Sequence, residues 1–252
     1  MELAIETRGL TVVFPSGRQT IRALDGISLS VAPGQVCGFL GPNGAGKTTT
    51  MHVLLGFVDP TAGEARLFGE DVRASIARRR IGYLAEHPDT YRFLTGRELL
   101  VMAGRLFLLQ GRQLKSRIEN VLAEVEMEEA ADRRIASYSR GMLQRICLAQ
   151  ALINDPDLVI LDEPTGGLDP FGRMAVRRII SRLRERGKTV FFSSHELSEV
   201  ELVCDHLVIL QRGRIVSEGA VADMVKPGES LEKYFLRVVG AAWPEDGVNS
   251  DQ

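Results

Sequence analysis

The sequence predicts an α/β fold with a mostly parallel core sheet, an N-terminal antiparallel β subdomain and an inserted helical subdomain. Three observations carry that expectation. Short alternating strands fill the N-terminal third, wholly apolar short strands recur late, and a helical stretch lies between them. Leu10, Val12 and Phe14 alternate with Thr11 and Val13, and Ile27, Leu29 and Val31 alternate with Ser28 and Ser30. That period of two is a strand signal. Residues 35–40 form a short, mostly apolar run that leads into a glycine-rich loop. In the middle, Thr95-Gly96-Arg97-Glu98 reads as a capping box ahead of an apolar run. Leu114, Ile118, Leu122 and Val125 recur at helical spacing, as do Met142, Ile146, Ala149 and Ile153. The helical subdomain is therefore placed at about residues 88–153. Residues 158–161, 189–192 and 207–210 are short and apolar on both faces, as strands buried on two sides must be. Between the first two of these, Val176, Ile179, Ile180 and Leu183 make a helical stripe closed by Gly187. The expected division is one α/β unit over 1–220, a helical extension over 221–240, and a disordered tail over 241–252.

Composition excludes several classes. The chain has 252 residues and a formal net charge of −2, which argues against a bulk electrostatic binder of nucleic acid, so no nucleic-acid partner is expected. The longest uncharged stretch, residues 26–46, is broken by Pro33-Gly34 and Gly41-Pro42-Asn43-Gly44, so it does not read as a membrane span. The acidic N-terminus lacks the basic and apolar regions of a secretory signal. Cys37, Cys147 and Cys204 are odd in number and sit in apolar contexts, as reduced core thiols of a cytosolic protein do. Arg78-Arg79-Arg80 and Arg177-Arg178 read as solvated helix faces.

The chemistry begins at Gly41-Pro42-Asn43-Gly44-Ala45-Gly46-Lys47-Thr48, which matches G-x-x-x-x-G-K-[ST] between a strand and a helical run. Glycines let the backbone fold round an anion and turn its N–H groups inward, and the following helix N-terminus adds a favourable dipole. Lys47 is placed to reach the β- and γ-phosphates of a nucleotide, and the Thr48 hydroxyl to ligate Mg²⁺. Thr49 is placed to donate to the α-phosphate. Further along, Asp157-Leu158-Val159-Ile160-Leu161-Asp162-Glu163 is an apolar strand ending in two carboxylates. Asp162 would hold Mg²⁺ directly or through water, and Glu163 would polarise a water attacking the γ-phosphate.

Ser139-Arg140-Gly141-Met142-Leu143-Gln144-Arg145 precedes this strand and His195 follows it. With the phosphate loop and the acidic strand, in this order and spacing, the chain resembles the ATP-binding subunit of an ABC transporter. The resemblance covers roughly residues 3–220 and implies a P-loop NTPase fold. The family signature usually reads Leu-Ser-Gly-Gly-Gln; this chain keeps Ser139 and Gly141 and has Arg140 and Met142 at the third and fifth positions. Arg140 is expected to be solvated. The resemblance implies that Ser139 and the Gly141 N–H meet the γ-phosphate held by an opposite subunit. It implies that His195 contacts the γ-phosphate, that Asp169 reads the neighbouring subunit, and that Phe14 stacks on adenine. Phe14 also fits a second reading, a core residue sharing a strand face with Leu10 and Val12. Glu86 stands where the family usually has Gln. A carboxylate there can approach Mg²⁺ or its water but cannot donate a hydrogen bond while ionised.

Ile81-Gly82-Tyr83-Leu84, the run at residues 91–99 and Leu231-Glu232-Lys233-Tyr234-Phe235-Leu236-Arg237 resemble the exporter branch with separate membrane subunits. The implied machine is a head-to-tail pair, a homodimer or a pairing with a paralogous ATPase subunit, holding two ATP and Mg²⁺. It would drive integral membrane transporter subunits from the cytoplasmic face of the membrane. The alternative is a soluble ATPase of the same type acting on nucleic acid or the ribosome, a class that usually carries tandem domains or a long coiled coil. Neither is seen here.

Overall fold

The computed structural model describes residues 2–17, 19–225 and 229–240. The tail expected over 241–252 lies outside the described residues. The chain begins with the antiparallel pair β1 (Ile5–Ser16) and β2 (Gln19–Val31), then β3 (Val36–Leu40), the glycine loop and α1 (Lys47–Leu54). β4 (Ala62–Leu67), β5 (Glu70–Asp71), α2 (Ser75–Arg78) and β6 (Ile81–Leu84) follow. The helical stretch holds α3 (Gly96–Leu106), α4 (Gly111–Glu124) and α5 (Arg140–Leu152). The chain then returns to the sheet through β7 (Leu158–Leu161), α6 (Pro170–Glu185), β8 (Thr189–Ser194), α7 (Leu197–Val203), β9 (His206–Gln211) and β10 (Arg214–Ala220). Two short helices close it, α8 (Val221–Met224) and α9 (Leu231–Val239).

The strands form two sheets. One is antiparallel, in the order β2-β1-β4-β5; the other runs β10-β9-β3-β8-β7-β6. In the second, β3 is parallel to β8 and β9, β7 is parallel to β6 and β8, and only the edge strand β10 runs antiparallel. The central strands are buried on both faces because side chains alternate between two apolar layers. Phe39, Ile160, Phe191 and Val208 point to the layer shared with α1 and the antiparallel sheet. Leu40, Val159, Leu161, Phe192 and Ile209 point to the layer covered by α3 to α7. Phe39 and Phe191 meet across neighbouring strands with ring centroids 5.0 Å apart.

Local signals act as expected. Thr95 caps α3: its Oγ1 accepts from Glu98 N at 3.1 Å, and Glu98 Oε2 accepts from Thr95 N at 2.8 Å. The arginine runs lie on solvent-exposed faces as expected, with Arg177 half-buried, and several also carry specific partners. Arg177 pairs with Glu199 at 2.9 Å, Arg178 with Glu126 at 2.8 Å and Arg80 with Asp157 at 2.7 Å. Arg80 also lies over the Phe68 ring, 3.7 Å from its centroid, and Arg78 donates to Val72 O at 3.1 Å. The partners come from elsewhere in the chain, so a local charge run cannot reveal them. Glu126 also takes Arg182 at 2.7 Å, which ties α6 to the turn after α4. Cys37 and Cys147 are buried and Cys204 is partly so. Burial pushes the Cys147 thiol up to about 12 and raises those of Cys37 and Cys204 as well.

Candidate active site

The loop between β3 and α1 is shaped by what lies behind it. A Cβ on Gly41 would sit 2.3 Å from Leu210 O. Gly46 has φ 111°, and a Cβ there would meet Leu24 Cδ2 at 2.7 Å and Ala23 O at 2.8 Å. No side chain fits at either position, so glycine here is a steric requirement. Gly213 N donates to Ala45 O at 2.8 Å and pins the loop from the far side. Lys47 opens α1 and is buried; its Nζ donates to Gly41 O at 2.7 Å, curling over the loop it will serve. The first N–H groups of α1 have no intrahelical acceptor, which leaves them to an anion.

This loop floors a cleft of about 780 Å³ lined by Phe14, Ile21, Arg22, Ala23, residues 42–49, Glu86, Glu163 and His195. Pro42, Asn43, Gly44, Ala45, Gly46, Lys47, Thr48 and Thr49 thus share one surface with Phe14, Glu86, Glu163 and His195. Phe14 is 38% exposed whereas Leu10 and Val12 are buried, so the core reading of Phe14 fails. It faces Ile21 across the β1–β2 pair, at the end of the hairpin beyond the core.

Asp162 and Glu163 follow β7 and are both buried. Glu163 adopts φ 48°, the left-handed region a glutamate rarely occupies. Such strain costs about 1–3 kcal/mol and needs surrounding structure to hold it. Ser193 supplies part of that structure. Its hydroxyl accepts from Glu163 N at 2.8 Å and donates to Asp162 Oδ1 at 2.6 Å. One buried hydroxyl thereby fixes both carboxylate-bearing residues. Each oxygen of Glu163 also faces a basic group: Oε1 lies 3.7 Å from Lys47 Nζ, and Oε2 lies 2.7 Å from His195 Nδ1. With Glu163 ionised, a proton on Nδ1 completes this hydrogen bond. Tyr83 stands close by. Burial, aided by the negative charges of Asp162 and Glu86, pushes its phenol up to about 12, so it stays neutral.

Ser139, Gly141 and Asp169 do not line this cleft. Ser139 caps α5, accepting from Met142 N at 3.3 Å, and Asp169 caps α6, accepting from Gly172 N at 2.7 Å. A Cβ on Gly141 would lie 4.0 Å from Gly172 Cα, so the N-termini of the two helices adjoin. Arg140 is not simply solvated: its Nη2 donates to Gly166 O at 3.0 Å. The acceptor lies in a loop distant in sequence, beyond the reach of local reading.

Ser193 is the residue that sequence reasoning missed. Its signal was present, because β8 reads Thr-Val-Phe-Phe-Ser-Ser and places hydroxyls at the buried end of an otherwise apolar strand. A buried hydroxyl must have partners.

An anion cradle at the carboxyl edge of a parallel sheet, with a carboxylate held beside it, is the arrangement of a P-loop NTPase. The sequence profile of the family described as ABC transporter matches residues 24–166. An uncharacterised ABC transporter ATP-binding protein of Nostoc sp. is 43% identical over 244 residues, covering 95% of this chain and 72% of that protein. The Nod factor export ATP-binding protein I of Paraburkholderia xenovorans is 41% identical over 211 residues, covering 83% of this chain and 69% of that protein. A solved structure described as the ATP-binding subunit of an ABC transporter is similar with a TM-score of 0.82 at 28% identity, covering 93% of this chain and 99% of that one. The chain belongs to the ABC transporter family as an ATP-binding subunit, and its activity is ATP hydrolysis coupled to transport.

Proposed function

We propose that the chain is one half of a head-to-tail pair, formed with a second copy or a paralogous subunit, that closes on two ATP molecules. The observation that carries this reading is the separation of two surfaces. The phosphate loop, Glu163 and His195 share one cleft, while Ser139, Gly141 and Asp169 crown a pair of adjoining helix N-termini that this cleft does not include. A helix N-terminus bearing a serine cap is suited to a phosphate. Two chains related by a two-fold axis bring each such surface to the other's cleft.

Within the cleft, Lys47 and the loop N–H groups take the β- and γ-phosphates, Thr49 the α-phosphate, and Phe14 the base. Glu163 accepts the proton of the attacking water, and Glu163 orients His195, whose Nε2 donates to the γ-phosphate when both ring nitrogens carry protons. The Thr48 hydroxyl and Asp162 are hard oxygen donors suited to Mg²⁺, which binds by one or two carboxylates plus substrate phosphates. When bound, Mg²⁺ neutralises charge developing on the phosphates. Glu86, half exposed on the cleft wall, would hold a water of the metal through its carboxylate.

Membrane subunits are the partners proposed on the cytoplasmic side. Among the described residues no helix is long and apolar enough to cross a membrane. Beside Glu86, Ala85, Pro88 and Phe107 line a groove of about 300 Å³, and Tyr91 and Phe93 expose rings 5.8 Å apart nearby in the chain. Motion of the Glu86 loop on ATP binding would pass to a segment seated there. Export is supported by the Nod factor exporter's name and by the run at residues 91–99. The division proposed is an ATPase unit over 1–220 with the helical part at about 88–153, and a C-terminal extension over 221–240.

Complementation tests the pair. Lys47→Ala and Gly141→Asp chains should each be inactive in ATP hydrolysis. Mixed in equal amounts, half the dimers are mixed and each holds one intact composite site, so about a quarter of the parent activity should return. No recovery on mixing, with dimers demonstrably exchanged, would overturn the head-to-tail arrangement. Base stacking by Phe14 has its own readout. Stacking contributes about 1–3 kcal/mol per base, so Phe14→Ala should raise KM for ATP about 5- to 150-fold with kcat little changed. An unaltered KM would remove Phe14 from the site.

A further inference from the structure

The signature of this chain has an arginine where the family motif has a glycine, and a cation at the first position of a helix opposes the helix dipole. Such a residue needs a compensating contact, and it has one within its own chain. Between Glu163 and Asp169 the backbone makes a tight loop whose carbonyls are nearly all engaged. Glu163 O accepts from Gly166 N at 3.0 Å and Thr165 O from Leu168 N at 3.2 Å, both inside the loop. Leu168 O accepts from Arg173 Nε at 3.1 Å. Two further carbonyls are held by α5: Pro164 O accepts from Gln144 Nε2 and Gly166 O from Arg140 Nη2, each at 3.0 Å. Arg140 and Gln144 are four residues apart and share one helix face. Gln144 is 5% exposed, so its bond is sealed from water. Gly167, whose φ of 64° favours glycine, lies beneath the Arg140 guanidinium, 2.4 Å from where a Cβ would stand.

We propose that Arg140, seconded by Gln144, is a positioning residue that clamps the signature helix to the loop joining Glu163 to Asp169. The loop that follows Glu163, and with it the placement of the base, is thereby held against α5. This rests on the composite-site reading above. It assigns the added charge of Arg140 to its own chain and not to the partner's γ-phosphate. A glycine in its place has no side-chain donor for Gly166 O. The guanidinium makes a charge-assisted bond to a backbone carbonyl, so a lysine, with one reaching donor, retains part of the clamp.

Kinetics separate the two assignments. Arg140→Ala should lower kcat for ATP hydrolysis by about tenfold or more, because misplacing a reacting group by a fraction of its contact distance is costly, and should leave KM for ATP within about twofold. Arg140→Lys should recover at least about half of the parent kcat. In a Glu163→Gln background, the chain with Arg140→Ala should form the ATP-dependent dimer at the same ATP concentration as Glu163→Gln alone. A parent-like kcat for Arg140→Ala overturns the clamp. So does a rise of about tenfold or more in KM or in the ATP needed for dimerisation, since Arg140 would then act on the nucleotide. If Glu163→Gln alone does not dimerise with ATP, the composite-site reading fails by itself, and the kcat and KM of Arg140→Ala still decide the clamp.

Discussion

Glu163→Gln should reduce ATP turnover by about 10²- to 10⁴-fold, the range a general base contributes, while leaving nucleotide binding intact. Glutamine keeps the size and planarity of the side chain, so the left-handed backbone at φ 48° and the bond from its N–H to Ser193 are retained. What is lost is the ability to accept a proton from water. The amide also ends the ionic contact with Lys47 at 3.7 Å, which frees that ammonium for phosphate. ATP should therefore bind at least as well as in the parent and remain unhydrolysed. Size-exclusion chromatography with ATP should show a lasting dimer where the parent shows one only in passing, and steady-state phosphate release gives the rate. Turnover at the parent rate would remove Glu163 from the role of base and direct attention to Asp162 or His195.

Lys47→Ala should cost at least about 10²-fold in ATP affinity. The ammonium is the only cationic side chain of the loop from Gly41 to Thr49, and charge-assisted hydrogen bonds contribute about 1.5–3 kcal/mol each. Its place is prepared: it is buried, held at 2.7 Å from Gly41 O, and comes off the first residue of α1. Truncation leaves the loop N–H groups and the helix dipole, which are too weak alone to hold a triphosphate against water. Titration with a fluorescent ATP analogue measures the loss. Folding should persist, since Gly41, Gly46 and their packing against Leu210, Leu24 and Ala23 are untouched. An affinity near that of the parent would mean that the nucleotide is held elsewhere.

These residues were legible because their chemistry is written in short contiguous runs. The phosphate loop needs glycines, a lysine and a threonine at fixed spacing, and packing around Gly41 and Gly46 shows the steric reason. The apolar strands ending in Asp162 and His195 were readable for the same cause, because the carboxyl edge of a parallel sheet gathers the strand ends at one place. Other features depend on pairings distant along the chain. Ser193 bridges Asp162 and Glu163 from a neighbouring strand, Arg140 finds Gly166, and Arg178 finds Glu126. Phe14 lay between two readings until its exposure beside Ile21 separated it from Leu10 and Val12. β4, β5 and β10 were not foreseen. Their polar faces and antiparallel edges lack the continuous apolar run that marks a central strand.

The back of the phosphate loop has a thermodynamic consequence. Ala23 and Leu24 press on it from the antiparallel sheet, while Leu210 and Gly213 press from the end of the parallel one. Neither sheet alone can present the cradle in its binding form. A nucleotide that recognises only the assembled loop therefore lends its binding free energy to the junction of the two sheets, by mass action on the folded state. ATP would in this sense act as a reversible cross-link within the chain, beside the bridge between chains that the proposed pair requires. In the proposed pair, release of product would then loosen the subunit's own interior as the two chains separate.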